Sequence, residues 1–217
     1  MREIKLADDQ YSYVFTRYAE PVAAVKPGET IALYTMDAFS NKIYSNNQRA
    51  GEVFKTLKGD NPQTGPIKIE GAEPGDMLKV EIVDIEATRD FAASCFNPNF
   101  GGLVCTRTTR MLHEPLPDPC YIYRRDENGN YTYNNRLSFK WEPFLGTIAT
   151  ASAVEVIKTI SPFENGGNMD VPDVKPGNIV YLPVSVPGAY FFTGDVHAKQ
   201  GEGEVCGVAM EITAKVT

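Results

Sequence analysis

Ionisable side chains are concentrated near the carboxyl end of the chain, in the stretch GDVHAKQGEGEVCG that runs from Gly194 to Gly207. Asp195 and His197 are two residues apart, a spacing that places both side chains on one face of a β-strand. A carboxylate beside an imidazole can bind a divalent metal ion or orient the imidazole as a general base. In a surface turn the same pair forms only an ordinary hydrogen bond. The spacing leaves these interpretations open.

The residues that follow alternate between polar and glycine. If the chain stays extended here, Gln200, Glu202 and Glu204 share one face. Gly201 and Gly203 lie between them and allow a ligand or another backbone to approach closely, at a cost in strand stability. A solvated acidic edge has little need for two glycines, so the pattern favours a binding site.

Acidic and glycine-rich segments elsewhere supply further candidates. Asp37 follows an apolar run in ALYTMDAFS, and Glu70 precedes a glycine in IEGAEPGD. The polar segment at residues 165–170 contains Gly166 and Gly167, whose backbone N–H groups can face an anion or an oxyanion. By residue type alone, each of these candidates is also typical of a turn.

Cysteine and the second histidine are weaker candidates. Cys206 has the same parity as three apolar residues of VCGVAMEI, which favours core packing over a thiol nucleophile. The four cysteines lack CxxC spacing, so we expect free thiols. His113 has only Glu114 beside it, near several prolines, and is expected in a loop.

The elements that must position these groups are predicted to be strands. Three Pro-Gly turns each precede an apolar run, in VKPGETIALYTMDAF, AEPGDMLKVEIVDIE and VKPGNIVYLPVSVPG. Proline fixes the first central residue of a type II turn, and glycine supplies the positive φ of the second. The repeated unit predicts a mainly β chain, an antiparallel sandwich or barrel-like assembly of hairpins with few short helices.

We expect a single domain over residues 1–217. The Asn128-Gly129 step between two aromatic runs predicts a hairpin, which we treat as an insertion over about residues 106–140. One short helix is predicted within residues 41–57.

Composition limits the classes of partner. The formal net charge of −7 disfavours nucleic acid. No apolar run approaches the ~20 residues of a membrane span, and MREIKLADDQ has no signal-peptide character, so we expect a cytoplasmic protein. Exposed strand edges favour a homodimer or a larger homo-oligomer.

Several segments together resemble the acetamidase/formamidase family. At the carboxyl end these are GGNMDVPDVKPG, LPVSVPGAYFFTGDVHAKQGEGEVCG and VAMEI. Upstream, NPQTGPIKIEGAEPGDMLKVEI, PFLGTIATA and TMDAF are similar to further family segments, and all of them occur in the family's order. The resemblance therefore covers most of the chain.

The resemblance implies a predominantly β fold and the hydrolysis of short linear amides, such as formamide and acetamide, to a carboxylate and ammonia. It also implies a divalent metal, zinc or calcium, and an oligomeric assembly. Carried onto this sequence, the family's active region comprises Asp37, Glu70, Asp195, His197, Gln200 and Glu204.

The sequence departs from the family at informative positions. Asn61 stands where the family pattern implies a histidine before Thr-Gly-Pro, and the histidine expected near the start is absent. His197 is then the one imidazole ligand unless His113 contributes. With mostly oxygen ligands, Ca²⁺ or Mg²⁺ suits the site as well as Zn²⁺. Ala149 replaces a glycine of PFLGTIATA-type segments, which narrows the expected pocket.

These residues suggest a mechanism. Asp195 and His197, with Glu70 or Asp37, are expected to hold a metal-bound water and lower its pKa. Glu204 or Glu70 then moves the proton of the water to the leaving nitrogen. Without a metal, the same groups form a carboxylate–imidazole base pair.

The substrate side of this hypothesis rests on Gln200 and on the backbone N–H groups of Gly166 and Gly167, which are expected to face the oxyanion. Two other classes of protein are alternatives to this amidase hypothesis. A cupin-like metal enzyme requires two histidines one residue apart, a spacing that Asp195 and His197 do not satisfy. A non-catalytic module for small-ligand binding or assembly remains the alternative function.

Overall fold

The structure of the chain is a computed structural model that describes residues 1–104, 114 and 116–217. The predictions for His113 and Cys105, and the first part of the hairpin insertion predicted over 106–140, lie outside the described residues.

Nineteen strands and one α-helix make up the regular structure of the described residues. In the first part of the chain they are β1 (Arg2–Ile4), β2 (Val14–Phe15), β3 (Ala23–Val25), β4 (Ile31–Thr35), α1 (Ala50–Phe54), β5 (Gln63–Ile69), β6 (Met77–Glu81), β7 (Ile85–Ala87) and β8 (Phe91–Cys95). They continue as β9 (Cys120–Arg125), β10 (Tyr131–Tyr133), β11 (Leu137–Phe139), β12 (Phe144–Thr150), β13 (Ile157–Lys158), β14 (Pro162–Phe163), β15 (Gly166–Asn168), β16 (Ile179–Pro183), β17 (Phe191–Lys199), β18 (Met210–Ile212) and β19 (Ala214–Val216).

The strands form one large sheet and three smaller ones. The large sheet has eleven strands in the order β11-β10-β9-β8-β18-β17-β12-β15-β14, with β5 also paired to β17 and β3 paired to β5. A four-stranded sheet has the order β1-β4-β19-β7, and the pairs β13-β2 and β16-β6 stand apart. Only β1-β4 and β3-β5 are parallel among the pairs of the described residues.

The predicted fold class is confirmed. The described residues form antiparallel, sandwich-like sheets with one short helix and no closed barrel. Among them, no helix is both long enough and apolar enough to span a membrane.

The Pro-Gly turns behave as their chemistry requires. Gly28, Gly75 and Gly177 have φ values of 80°, 100° and 88°, the positive φ that a side chain disfavours. The strands that follow the second and third turns, β6 and β16, pair with each other, so that Leu78 lies opposite Leu182.

The predicted short helix and the predicted aromatic hairpin are both present among the described residues. Helix α1 occupies five residues of the predicted 41–57 segment and has no side-chain cap, which fits a short helix held by tertiary packing. Strands β9 and β10 form the aromatic hairpin, with Gly129 at φ 82° in the turn between them.

Strand β17 carries the candidate residues Asp195 and His197. On one of its two edges, the paired strand changes part-way along β17. On one side it pairs with β12 throughout. On the other side Gly194 pairs with Gln63 of β5, whereas Val196 pairs with Ile212 of β18. Asp195 lies at the point along β17 where the paired strand changes from β5 to β18.

Candidate active site

Asp195 and His197 form the centre of a buried polar cluster. The Nε2 atom of His197 lies 3.3 Å from Oδ1 of Asp195, and the two residues are 1% and 3% exposed, respectively. The imidazole packs edge-on against the ring of Phe144, with the centroids 4.9 Å apart. The pair is therefore placed rigidly beneath the surface rather than in a solvent-exposed turn.

The backbone at Asp195 is bent toward Gly146 on the neighbouring strand β12. Asp195 has a φ of 55°, and register pairs between β12 and β17 resume on either side of it. A Cβ at Gly146 would lie 2.7 Å from Oδ2 of Asp195, 2.8 Å from Cε1 of His197 and 2.9 Å from Oδ1 of Asp170. Only glycine leaves room for these three side chains to converge.

Glu211 is a third member of the cluster that sequence reasoning missed. It is paired with His197 across β17 and β18, and its Oε2 atom lies 3.5 Å from Nε2 of the imidazole. Its Oε1 atom accepts the backbone N–H of Ala209 at 3.0 Å, and the residue is 2% exposed. The available signal was a carboxylate within the otherwise apolar AMEI, because acids are rarely buried without a partner.

A network of amide and hydroxyl groups supports the outer side of Asp195. The Nδ2 group of Asn61 donates to Oδ2 of Asp195 at 3.0 Å and to Oδ1 of Asn168 at 2.7 Å. The hydroxyl of Thr147 lies 3.1 Å from the same Asp195 oxygen. Asn61, at the position where a family histidine was expected, therefore faces the centre of the cluster.

Asp170 and Glu204 provide two further carboxyl groups that line the same cavity. The Nδ2 group of Asn168 donates to Oδ2 of Asp170 at 3.2 Å. The side chain of Gln200 donates to the backbone oxygen of Asp170 at 2.9 Å. Gln200 thus contacts the segment that carries Asp170.

Burial and mutual charge set the protonation of the central pair. Burial alone lowers the pKa of His197, but the carboxylates of Glu211 and Asp195 outweigh it and raise the pKa well above its ordinary value. Burial opposes ionisation of Asp195, yet the imidazolium charge and the hydrogen bonds from His197 and Thr147 lower its pKa. Burial also raises the pKa of Glu211. The protonated forms of both His197 and Glu211 are therefore favoured.

Asp170 and Glu204, the outer pair of carboxyl groups, have pKa values below and above 7, respectively. Burial, followed by the charge of Asp195, raises the pKa of Asp170 to about 6. Burial also raises the pKa of Glu204 to about 8, against the opposing charge of His197 and with the support of the charge of Asp170. At pH 7 Asp170 is mostly ionised and Glu204 mostly protonated, an arrangement that suits one base and one acid.

Four residues of this cluster have left-handed backbone. Among the non-glycine residues with positive φ are Asn61 at 56°, Asp170 at 52°, Asp195 at 55° and Glu204 at 41°. Such conformations cost of order 1–3 kcal/mol each and persist where surrounding structure holds them, often at active sites. Their coincidence with the buried carboxyl groups supports a functional site here.

Asp37 lies outside the cluster, with both carboxylate oxygens engaged. Oδ2 forms an ion pair with Nη1 of Arg89 at 2.6 Å, and Oδ1 accepts the backbone N–H groups of Phe39 and Asn41. Arg89 also donates to the backbone oxygen of Glu211 at 3.0 Å. Asp37 therefore fixes a loop and, through Arg89, the strand that carries Glu211.

Glu70 and the two glycines also lie apart from the carboxyl cluster. Glu70 is exposed and follows the last residue of β5, at the opposite end of that strand from Asn61. Gly166 and Gly167 belong to β15, where a Cβ would lie 2.3 Å and 2.5 Å from backbone oxygens. These glycines allow β15 to approach its neighbours closely, and Asn168 then reaches the cluster.

The segment after His197 is not extended as far as its alternation suggested. Strand β17 ends at Lys199, and a 3-10 turn spans Glu202–Glu204. Glu202 is exposed, whereas Glu204 is turned toward the cluster. Cys206 is a half-buried free thiol in the following loop, and burial raises its pKa, which disfavours a thiolate nucleophile.

A cavity of about 310 Å³ opens onto the cluster. Its polar lining includes Asn61, Asp170, Asp195, Glu204 and Glu211. Asp60, Asn97 and Asn168 are also part of the lining, and aromatic and aliphatic side chains contribute much of the rest. A small molecule in this cavity can therefore contact the acid and base groups directly.

The donor set fits a divalent cation. Two groups have ligand atoms within 4.8 Å of one another, namely Asp170 with Asp195 and His197, and His197 with Glu204 and Glu211. Among the described residues, Oδ1 of Asp170, Oε2 of Glu211 and Nδ1 of His197 are buried without a hydrogen-bond partner. One imidazole among several carboxylates is compatible with zinc and with harder ions such as calcium.

Comparison with known proteins agrees with this fold. The family model described as the Acetamidase/Formamidase family matches residues 4–157 and 139–217. The chain belongs to the acetamidase/formamidase family.

Individual relatives are of moderate identity. An acetamidase of Mycolicibacterium smegmatis is 29% identical over 85% of this chain and 59% of its own length. A formamidase of Methylophilus methylotrophus is 29% identical over 86% of this chain and 58% of its own length. The crystal structure of an acetamidase from Yersinia enterocolitica superposes with a TM-score of 0.87 at 36% identity, covering 96% of this chain and 64% of that chain. The chain thus spans less than two thirds of each of these proteins.

Proposed function

We propose that this chain hydrolyses the C–N bond of short linear amides in the cavity beside His197, giving a carboxylate and ammonia. The observation that carries the proposal is the buried His197–Asp195 pair beside a cavity that Asp170 and Glu204 also line, two carboxyl groups whose pKa values burial raises to about 6 and about 8. Membership of the acetamidase/formamidase family supports the same reaction.

The two outer carboxyl groups take the proton-transfer roles. Asp170, ionised at neutral pH, accepts a proton from the attacking water. Glu204, still protonated, donates a proton to the departing nitrogen, which must leave as ammonia rather than as an amide anion. General acid–base catalysis of this kind contributes typically 10²–10⁴-fold to the rate.

The inner residues hold positive charge at the base of the cavity. His197, the member common to both donor groups, would hold a divalent cation such as zinc or calcium together with the carboxylates of one group, Asp195 and Asp170 or Glu211 and Glu204. That cation supplies a Lewis acid that lowers the pKa of water and polarises the carbonyl group. Thr147 and Asn61 hold the Asp195 carboxylate in place by donating hydrogen bonds to its Oδ2 atom.

Asn61 has a second role in this proposal. It lines the cavity, and its Nδ2 group donates to both Asp195 and Asn168, so that it ties β15 to the carboxylate side of the cavity.

Glu204→Gln tests the proposal, with Glu202→Gln as the matched control from the same 3-10 turn. We expect ammonia release from formamide, acetamide and propionamide by the native chain, a loss of 10²-fold or more in Glu204→Gln, and near-native turnover in Glu202→Gln. Metal content is measured on the same samples. No ammonia release from any amide by the metal-loaded native chain would favour the non-catalytic binding module instead.

The homodimer or larger assembly remains a prediction. The outer face of the β6-β16 pair exposes the apolar side chains Met77, Ile179 and Tyr181. Light scattering after size-exclusion chromatography measures the assembly, and a monomer at micromolar concentration would contradict the prediction.

A further inference from the structure

The cavity above the carboxyl cluster is larger than the smallest amides require. Its volume is about 310 Å³. With ~30 Å³ for each water-sized group, this is room for roughly ten such groups. Acetamide has only four non-hydrogen atoms, so more than half of the cavity lies beyond the reach of its acyl methyl group.

The additional space has an apolar wall. Phe39, Phe54, Phe100, Ile160 and Val208 line it, and they come from five different segments of the chain. The rings of Phe39 and Phe54 are in edge contact, with centroids 5.9 Å apart, which fixes the orientation of both. Phe39 belongs to a hydrophobic core cluster against which Phe54 and Val208 pack, whereas Phe100 is 39% exposed at the mouth of the cavity.

The position of Phe100 depends on two glycines in neighbouring loops. A Cβ at Gly207 would lie 2.7 Å from the Phe100 ring, and a Cβ at Gly101 would lie 2.2 Å from the backbone oxygen of Cys206. Both glycines have positive φ, 72° and 82° respectively. The loops therefore pack tightly and hold Phe100 at the cavity next to Glu204.

Charge restricts the acyl group further. The described lining contains several carboxyl groups and no lysine or arginine. An acyl chain that ends in a carboxylate would meet repulsion from these carboxyl groups with no lysine or arginine of the described lining to pair with, whereas a neutral hydrocarbon chain buries against the wall.

We infer that the preferred substrates are amides with a neutral apolar acyl chain of about six carbons or a phenylacetyl group, and that the wall residues Phe54 and Ile160 determine this preference. The inference rests on the proposed function. Each methylene covered by the wall contributes enough hydrophobic free energy to raise kcat/KM by about fourfold. We therefore expect hexanamide to exceed acetamide in kcat/KM by at least tenfold.

The test compares acetamide, hexanamide, phenylacetamide and the anionic succinamate. In the native chain we expect hexanamide and phenylacetamide to be favoured and succinamate to be the poorest substrate. Phe54→Ala is expected to reduce the hexanamide-to-acetamide ratio of kcat/KM by about tenfold, and Ala38→Leu, which fills the cavity, is expected to do the same. The acetamide rate of each variant is the reference for its own ratio, so that a general loss of activity does not change the comparison.

Binding to the slow variant Glu204→Gln separates the two proposals. Calorimetry on this variant should show tighter binding of hexanamide than of acetamide. Hydrolysis of acetamide without any gain for the longer amides would overturn the apolar pocket while leaving the proposed function intact. If no amide is hydrolysed, the proposed function fails. In that case, equal binding of hexanamide and acetamide would overturn the apolar pocket as well. Tighter binding of hexanamide would support the pocket.

Discussion

Oδ2 of Asp195 occupies the space that a side chain on Gly146 would fill, 2.7 Å from the position of the missing Cβ. His197 and Asp170 approach the same point, at 2.8 Å and 2.9 Å. We predict that Gly146→Ala displaces all three side chains and lowers turnover by at least 10²-fold, because small displacements of catalytic groups have large kinetic effects. Steady-state ammonia release measures the loss.

Gly201→Ala is the matched control for this substitution. Gly201 has ordinary extended backbone, with φ −83° and ψ 164°, and a Cβ there would meet nothing within 4 Å. We expect near-native turnover from Gly201→Ala. If Gly146→Ala behaved in the same way, the convergence of side chains at Gly146 would have no role in the reaction.

Asp37 is predicted to position the site and not to bind the cation. Its carboxylate is fully buried against Arg89, and removing one partner of a buried ion pair leaves an uncompensated charge. We expect Asp37→Ala to lower the free energy of unfolding by about 3 kcal/mol. The folded fraction should nevertheless bind as much metal as the native chain. Metal loss without a change in stability would show instead that Asp37 is a ligand.

Glu70 is predicted to be dispensable. The side chain is exposed at the end of β5 far from Asn61, so neither proton transfer nor cation binding at the cluster should require it. Glu70→Gln should therefore change turnover and bound metal by less than twofold, as measured by ammonia release and metal analysis. A loss comparable to that of Glu204→Gln would restore Glu70 to the catalytic groups.

The stability of the metal-free chain is predicted to fall as pH rises from 4.5 to 8. The pKa of Glu204 is raised to about 8 and that of Asp170 to about 6, so over this range the folded state binds more protons than the unfolded state. Each group then lowers the free energy of unfolding by up to ~1.4 kcal/mol per pH unit between its two pKa values. Denaturant unfolding in the presence of a chelator measures the slope.

A divalent cation should reverse this trend, because its carboxylate ligands must be deprotonated. Added zinc or calcium is expected to raise the Tm more at pH 8 than at pH 5.5. Glu204→Gln, which cannot ionise at this position, should show a shallower loss of stability with pH. A native chain whose stability rises between pH 5 and pH 8 without metal would contradict the assigned pKa shifts.

Sequence patterns predicted the strands well, because their signals are local. The turns at Gly28, Gly75 and Gly177 and the hairpin at Asn128-Gly129 are each specified by adjacent residues. The 41–57 segment yielded only the short helix α1, since apolar spacing there reflects packing of Phe39, Val53 and Phe54 rather than a long amphipathic face.

The site was less accessible to sequence reasoning, because it is assembled across strands. The Asp195–His197 spacing identified its centre, but Glu211 joins through the register of β17 and β18, which no local pattern encodes. Asp37 matched a family segment without revealing that Arg89 neutralises it from 52 positions along the chain. In the sequence, Gly146 is only one residue of PFLGTIATA. The close approach of Asp195 in the structure explains why a glycine is required there.

The most direct measurement on the central proposal is ammonia release from acetamide together with bound metal, in the native chain and in His197→Ala. The account predicts that both quantities fall, turnover by at least 10²-fold and bound metal to well below one ion per chain, because His197 belongs to both donor groups. Native-like turnover in His197→Ala would contradict the proposed active site. Lost turnover with undiminished metal would show that His197 serves as a base and not as a ligand.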